Sequence, residues 1–355
     1  MALTRLHARD FRCFDVVEVV PHARINLIIG TNGAGKTSLL EAIYLVGRGR
    51  SFRTSNLVAL RRSGSGFFEL GAQVEWGPHR SSVRIRGGNG GLDVQIEDRE
   101  AKGLAGLAEL LPVQVIEPGA HKLVEEGPAR RRQFLDWGVF HVEPRLLDTW
   151  RRFQRALRQR NAGLREEASD RMLAGFESAL AEAGESLHRM RVEHVDRLRP
   201  RLASAAQDLL NEPVACEYLA GWDPELSLEE ALARSRIRDR RRKATLCGPQ
   251  RGDLQLEIGG QPARERVSRG EQKLLSAAII LAQIDVLEAL SLPTGVLLVD
   301  DPAAELDDGR LDRLVRALVA RQTQLFVTAL PDGVPVLPGD PRVFHVEQGR
   351  IAEML

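Results

Sequence analysis

At 355 residues, with 43% hydrophobic and 28% charged side chains, the chain has the composition of a soluble folded protein and not that of a disordered one. Its formal net charge of +1 leaves any affinity for polyanions to local charge clusters. The three cysteines, Cys13, Cys216 and Cys247, have no C-x-x-C spacing and the eight histidines have no metal spacing, which argues against a disulfide framework or structural zinc and for a reducing cytosol. The stretch Met1 to His7 lacks a signal-peptide apolar core, and the best apolar run, Ala277 to Leu290, is broken by Gln283 and Asp285; a cytoplasmic protein without a membrane partner is the expectation.

Taken in order, the chain opens with three predicted strands, Leu6 to Phe11, Val16 to Val20 and Ile25 to Ile29, with Pro21 marking the second turn. The third runs into Gly30-Thr31-Asn32-Gly33-Ala34-Gly35-Lys36-Thr37, followed by the helical Ser38-Leu39-Leu40-Glu41-Ala42-Ile43-Tyr44. The spacing G-x-x-x-x-G-K-T between a strand and a helix is that of a P-loop: glycines let backbone N–H groups curl around phosphate oxygens, and the helix start adds its dipole. Lys36 would reach the outer phosphates and Thr37 would hold Mg2+. The chain has five lysines against forty-five arginines, so a lysine here points to a compact ammonium being required between phosphates.

Past Gly49-Arg50-Ser51-Phe52-Arg53-Thr54 the pattern predicts a meander of Phe67 to Val74, Val83 to Arg86 and Asp93 to Ile96, with a glycine-rich turn at Gly87 to Gly91, and then a strand from Val113 to Ile116. From about Leu123 the apolar period becomes helical. Leu146, Trp150, Phe153, Leu157 and Leu164 form one run and Leu173, Phe176, Leu180, Leu187 and Met190 another, predicting a hairpin around Ala168-Ser169-Asp170 with a kink near Pro200. Helices of about 22 residues, about 33 Å long, would make this a lobe and not a rod. Strand and helix then alternate again: Leu254 to Ile258, a helix from Ser268 to Leu290, Val296 to Val299, a helix from Gly309 to Ala320, Gln324 to Thr328 and Val343 to Val346. The reading is one α/β nucleotide-binding domain split by a helical insert, with boundaries 1–117, 118–243 and 244–355.

Two further segments carry chemistry. Val296-Leu297-Leu298-Val299-Asp300-Asp301 is a buried strand delivering carboxylates beside a P-loop. Asp300 would hold the metal, directly or through water, and Asp301 would position or polarise the attacking water. Being one methylene shorter than glutamate, Asp301 should grip that water loosely and give slow turnover. Ser268-Arg269-Gly270-Glu271 precedes an apolar helical run, where Ser268 and Glu271 make a capping box and the helix start is also an anion site.

The order P-loop, S-x-G-x, then φφφφDD resembles the ATP-binding-cassette ATPases. That resemblance implies that Ser268, Arg269, Gly270 and Glu271 contact the γ-phosphate held by a second subunit, that Ala304-Glu305-Leu306-Asp307 is a D-loop, and that Gln114 is the Q-loop glutamine beside nucleotide and Mg2+. Thr328 stands where transporter cassettes carry a switch histidine. Phe11-Arg12-Cys13-Phe14, Gly49 to Thr54, Gly127-Pro128-Ala129-Arg130-Arg131-Arg132-Gln133-Phe134-Leu135-Asp136, Gln159-Arg160-Asn161-Ala162 and Gly248-Pro249-Gln250-Arg251 narrow the likeness. With them the chain resembles, from end to end, the RecF family of bacterial recombination-repair ATPases. Gly119 after Pro118, and Gly252 before Asp253, depart from the acids usual there.

The resemblance implies an ABC-type ATPase head, a mixed sheet with a P-loop, split by an inserted α-helical arm. It also implies a weak, DNA-stimulated ATPase that uses ATP and Mg2+, dimerises on ATP, clamps duplex DNA at gaps and single-strand/duplex junctions, and helps load RecA with RecO and RecR. Arg12 joins Gly30 to Ser38 as a nucleotide-binding candidate, with Arg50 and Arg53 nearby. Two basic clusters are candidates for duplex phosphates: Arg151, Arg155 and Arg158 on one stripe of the first helical run, and Arg240, Arg241 and Arg242 in the second. With aromatics at 5%, stacking on a single strand is not favoured. A transporter's ATPase subunit is the alternative, which the long insert with its arginine clusters argues against; a protein binding ATP only as a staple is a second.

Overall fold

The computed structural model describes residues 1–101, 103–304 and 306–354. The chain packs as two compact units, one formed by Met1–His121 with Arg269–Leu355 and the other by Lys122–Ser268. The first unit opens with strands β1 (Ala2–Phe11), β2 (Phe14–Val19) and β3 (Ile25–Ile29) and helix α1 (Lys36–Arg48). Next come β4 (Phe67–Trp76), β5 (His79–Gly88), β6 (Gly91–Ile96), β7 (Arg99–Glu100), helix α2 (Ala105–Leu110) and β8 (Val113–Ile116).

The second unit holds helices α3 (Lys122–Glu125), α4 (Pro128–Val142), α5 (Leu146–Arg165) and α6 (Asp170–Leu210), then β9 (Ala215–Leu219) and α7 (Leu228–Arg242). It ends with β10 (Asp253–Ile258), β11 (Gln261–Pro262) and α8 (Ala263–Arg266). The chain then completes the first unit with α9 (Arg269–Ala289), β12 (Val296–Val299), α10 (Asp308–Val319), β13 (Gln324–Ala329), β14 (Arg342–Glu347) and β15 (Arg350–Met354).

Two six-stranded sheets build the first unit. One has the order β2-β1-β4-β5-β6-β7 and is antiparallel throughout. Its β4 alternates between buried Phe68, Leu70, Ala72 and Val74 and partly exposed neighbours, the period of two expected of a sheet with one covered face. The other has the order β15-β14-β3-β13-β12-β8, in which β14, β3, β13, β12 and β8 run parallel and β15 closes the edge antiparallel. The four residues of β12 are all buried, as a central parallel strand requires. Leu39, Leu40, Ile43 and Leu45 of α1 join residues of both sheets in one core. Full burial of each such side chain stabilises by roughly 1.5–3 kcal/mol, which anchors the helix that follows the phosphate loop.

In the second unit the α5–α6 hairpin turns where the sequence predicts: Ser169 caps α6 by accepting from the Met172 N–H. Three features correct the reading. Helix α6 runs 41 residues without a break at Pro200, about 60 Å of helix, where segments of about half that length were expected. Strand β9 was not foreseen. The boundary expected at residue 243 falls at Ser268, because β10 pairs with β9 and β11 in a separate three-stranded sheet and with neither sheet of the first unit.

Candidate nucleotide-binding site

The C-terminal ends of parallel strands are where open α/β sheets bind ligands. Here the ends of β3, β13 and β12 lie side by side, and each delivers chemistry. After β3 the chain turns through Gly33 and Gly35, both with positive φ (78° and 123°), into the first turn of α1. A Cβ at Gly35 would meet the Cys13 Sγ at 2.8 Å, so the loop's tight path has no room for a side chain there. The opening N–H groups of α1 have no partner within the helix and face the same loop.

Lys36 folds back onto this loop, its Nζ donating to the carbonyls of Gly30 (2.7 Å) and Thr31 (2.9 Å). Burial pulls its ammonium below the usual lysine range, and the carboxylates of Asp301 and Asp300 oppose that pull. The Thr37 hydroxyl donates toward both carboxylate oxygens of Asp300, at 3.1 and 3.0 Å. Between them on β13 stands Thr328, whose Oγ1 donates to Asp300 Oδ1 (2.9 Å) and accepts from the Asp301 N–H (2.8 Å). Burial pushes the Asp300 carboxyl above the ordinary aspartate range, against hydrogen bonds from Thr328 and Thr37. Asp301 is held at φ 48°, in the left-handed region.

The other predicted residues divide. Arg12 lies in the β1–β2 turn and is committed to Glu41 of α1: Nε and Nη2 each donate to its carboxylate at 2.7 Å, and Nη1 donates to the Ala59 carbonyl. Ser51 donates to the same carboxylate, and Arg53 reaches it at 3.5 Å. Arg53 also favours the ionised form of Asp300. Gln114 is corrected. It sits inside β8 opposite Leu297, about 7 Å short of the strand end, and its carboxamide donates to Gln283 of α9 (2.7 Å), so the structure does not bring it to the loop.

Arg269, Gly270 and Glu271 form the first turn of α9, where Glu271 accepts from Arg310 of α10 (3.2 Å); Ser268 is the residue just before. Asp307 caps α10 by accepting the Arg310 N–H, which gives it a structural task of its own. The predicted D-loop residue Glu305 lies outside the described residues. Sequence reading overlooked Glu41, whose signal was a single acid in the apolar run of α1. It also overlooked Lys273, whose contacts are tertiary and left no pattern to read.

In the second unit Arg151, Arg155 and Arg158 stand exposed along α5, Arg151 paired with Asp148 at 3.5 Å. A surface hollow of about 600 Å³ there is lined by Arg145, Arg151, Arg152 and Arg155, with Asp148 among them. The cluster on α7 is only partly available. Arg240 is tied to Asp170 and to the Ala168 carbonyl, while Arg241 and Arg242 are exposed. Asp239, next to this cluster on α7, is fully buried as partner to the equally buried Arg160.

Residues 2–337 match the family described as RecF/RecN/SMC N terminal domain. A protein of Thioalkalivibrio sulfidiphilus named DNA replication and repair protein RecF is 42% identical over 357 residues, covering 99% of each chain. The chain belongs to the RecF family. A Pseudomonas fluorescens member of the same name is 39% identical over 366 residues, covering 99% of this chain and 98% of its own. A solved structure of the recombination mediator protein RecF with ATP, in the RecFOR pathway, superposes with a TM-score of 0.88 at 24% identity over 99% of this chain and 97% of that one. An Smc head bound to the C-winged helix domain of ScpA gives 0.64 at 16% identity, over 100% of this chain and 98% of that one. At these identities the structural likeness shows the fold: an α/β ABC-type ATPase head of the RecF and SMC kind, carrying an inserted helical arm.

Proposed function

We propose that this protein is an ATP-dependent DNA-binding protein of recombinational repair and replication, a weak DNA-stimulated ATPase whose ATP-bound dimer clamps duplex DNA at gaps and junctions and helps load RecA with RecO and RecR. The observation that carries the reading is the convergence of Thr37, Thr328, Asp300 and Asp301 at three adjacent parallel strand ends beside Lys36. The names and end-to-end similarity of the relatives support the cellular role.

Lys36 would exchange the carbonyls of Gly30 and Thr31 for the outer phosphates, and the N–H groups of residues 33–38 would line the phosphate chain. Thr37 and Asp300 are the oxygen donors that would hold Mg2+. When bound, that ion would neutralise charge on the transferring phosphoryl group. Asp301 would orient a water whose oxygen bonds to the γ-phosphorus as the bond to the bridging oxygen breaks. ADP and phosphate leave, and the water's proton passes to the released phosphate by way of the carboxylate. Ser268, Arg269, Gly270 and Glu271 of one protomer would face the γ-phosphate held by its partner, so that dimer closure completes two sites. Arg151, Arg155 and Arg158, with Arg241 and Arg242, supply the surface for duplex phosphates.

The test compares ATP binding and turnover, with and without duplex DNA, in the native chain and Lys36→Met. Charge-assisted hydrogen bonds are worth about 1.5–3 kcal/mol, so binding should weaken roughly ten- to a hundredfold and turnover should vanish. Duplex affinity should require ATP and fall steeply with salt, and Arg155→Ala with Arg158→Ala should reduce the log–log salt slope by about 0.9 for each phosphate that is no longer neutralised. Native turnover in Lys36→Met, or duplex binding indifferent to ATP, would contradict the reading.

A further inference from the structure

Lys273 is one of five lysines in a chain with forty-five arginines, and it is fully buried, with 1% of its surface exposed. It lies one turn into α9, four residues after Arg269. Its Nζ donates to three backbone carbonyls of the segment after β12: Asp301 (3.1 Å), Pro302 (3.5 Å) and Ala304 (2.6 Å). A compact ammonium with three rotatable donors suits carbonyls that converge on one point in a buried space, and it takes less room than a planar guanidinium.

What this lysine holds is a residue of unusual backbone conformation. Asp301 has φ 48°, a left-handed conformation that is uncommon outside glycine and is favoured here by its hydrogen-bond partners. Three hydrogen bonds fix it: on one side of its Cα the Asp301 N–H donates to Thr328 Oγ1, and on the other its C=O accepts from Lys273 Nζ and from the Ala304 N–H (3.2 Å). The direction of the Asp301 side chain follows from that backbone, so whatever aims the backbone aims the carboxylate.

We propose that Lys273 is a positioning residue for the hydrolytic step: it holds Asp301 in its left-handed conformation and ties that conformation to the first turn of α9. The proposal rests on Asp301 being the acid that orients the attacking water. Lys273 acts on the hydrolytic step through the backbone of Asp301. A contact made at the first turn of α9 would reach Asp301 through a single side chain, which couples the sensing of a second subunit's ATP to the readiness of the site.

The experiment is a steady-state ATPase double-mutant cycle between Lys273→Met and Asp301→Asn, with nucleotide affinity measured separately by fluorescent ATP titration. Lys273→Met should lower kcat at least tenfold while KM and nucleotide affinity stay within twofold, and it should cause no further loss in the Asp301→Asn background. Lys273→Arg keeps a buried charge but puts a larger, planar group in place of the compact ammonium, displacing the Asp301 carbonyl, and should show the same kcat loss with intact nucleotide binding; it carries the test if the methionine variant does not fold. Full kcat in Lys273→Arg, a rise in KM matching the fall in kcat, or an equal loss with and without the Asp301 carboxylate would overturn the proposal. Native turnover in Asp301→Asn alone would instead sink the role of Asp301, an outcome distinct from a failure of Lys273.

Discussion

Asp300 sits at the meeting point of two hydroxyls, Thr37 and Thr328, with burial raising its pKa and those hydrogen bonds lowering it. Burial wins, so the folded chain takes up a proton at Asp300 more readily than the unfolded chain does. Its contribution to stability therefore declines as pH rises through the ordinary aspartate value, near 3.9, toward the raised one. Magnesium-dependent nucleotide binding needs the ionised form and runs the other way, strengthening over the same interval. Titrations of Mg2+ with ATP across acid to neutral pH should show affinity falling, as pH drops, from a higher pH than an ordinary aspartate would give. Asp300→Asn should weaken the metal dependence and flatten that curve; an unchanged pH profile in the variant would remove Asp300 from the metal site.

At the scale of elements, β3 with its P-loop and β12 with its two acids were legible because each is an apolar run ending in residues that no core tolerates without a task. The place of Gln114 on the strand Val113 to Ile116 was legible as well, but its hydrogen bond to Gln283 of α9 was not, because that contact is tertiary. The length of α6 was missed because a kink was expected near Pro200, and β9 because apolar Ala215 and Leu219 are exposed beside buried Cys216 and Tyr218, which blurs the alternation. Arg160, noted in sequence only within Gln159-Arg160-Asn161-Ala162, is fully buried against Glu177 (3.0 Å), Asp239 (2.8 Å) and the Thr245 hydroxyl. Removing one member of a buried ion pair strands the other, so Arg160→Met should destabilise the arm by about 3–5 kcal/mol in urea unfolding. A loss below about 1 kcal/mol would place the arginine in solvent.

His194 of α6 gives the arm its own pH dependence. Burial and Arg197 depress its pKa to about 4 from 6.5, so the unfolded chain binds more protons than the folded one between those values. Stability should be intact above pH 6.5 and fall as pH drops toward 4, by about 3 kcal/mol at 1.36 kcal/mol per unit. His194→Leu should lose that slope in chemical unfolding, while a slope as steep as the native one would assign it to other groups.

At the scale of the whole molecule, the proposed chemistry divides between protomers. Lys36, Thr37, Asp300 and Asp301 come from one chain, and Ser268 with the first turn of α9 comes from another. The P-loop half was read from residue spacing, whereas the trans role of Ser268 was implied by the resemblance to ATP-binding-cassette ATPases. The most direct measurement is the solution mass by light scattering, with and without ATP, for the native chain and for Ser268→Arg. The account predicts that ATP doubles the mass of the native chain and leaves the variant a monomer that still binds nucleotide. A native mass indifferent to ATP, or an equal ATP-dependent dimer in Ser268→Arg, would contradict the shared site.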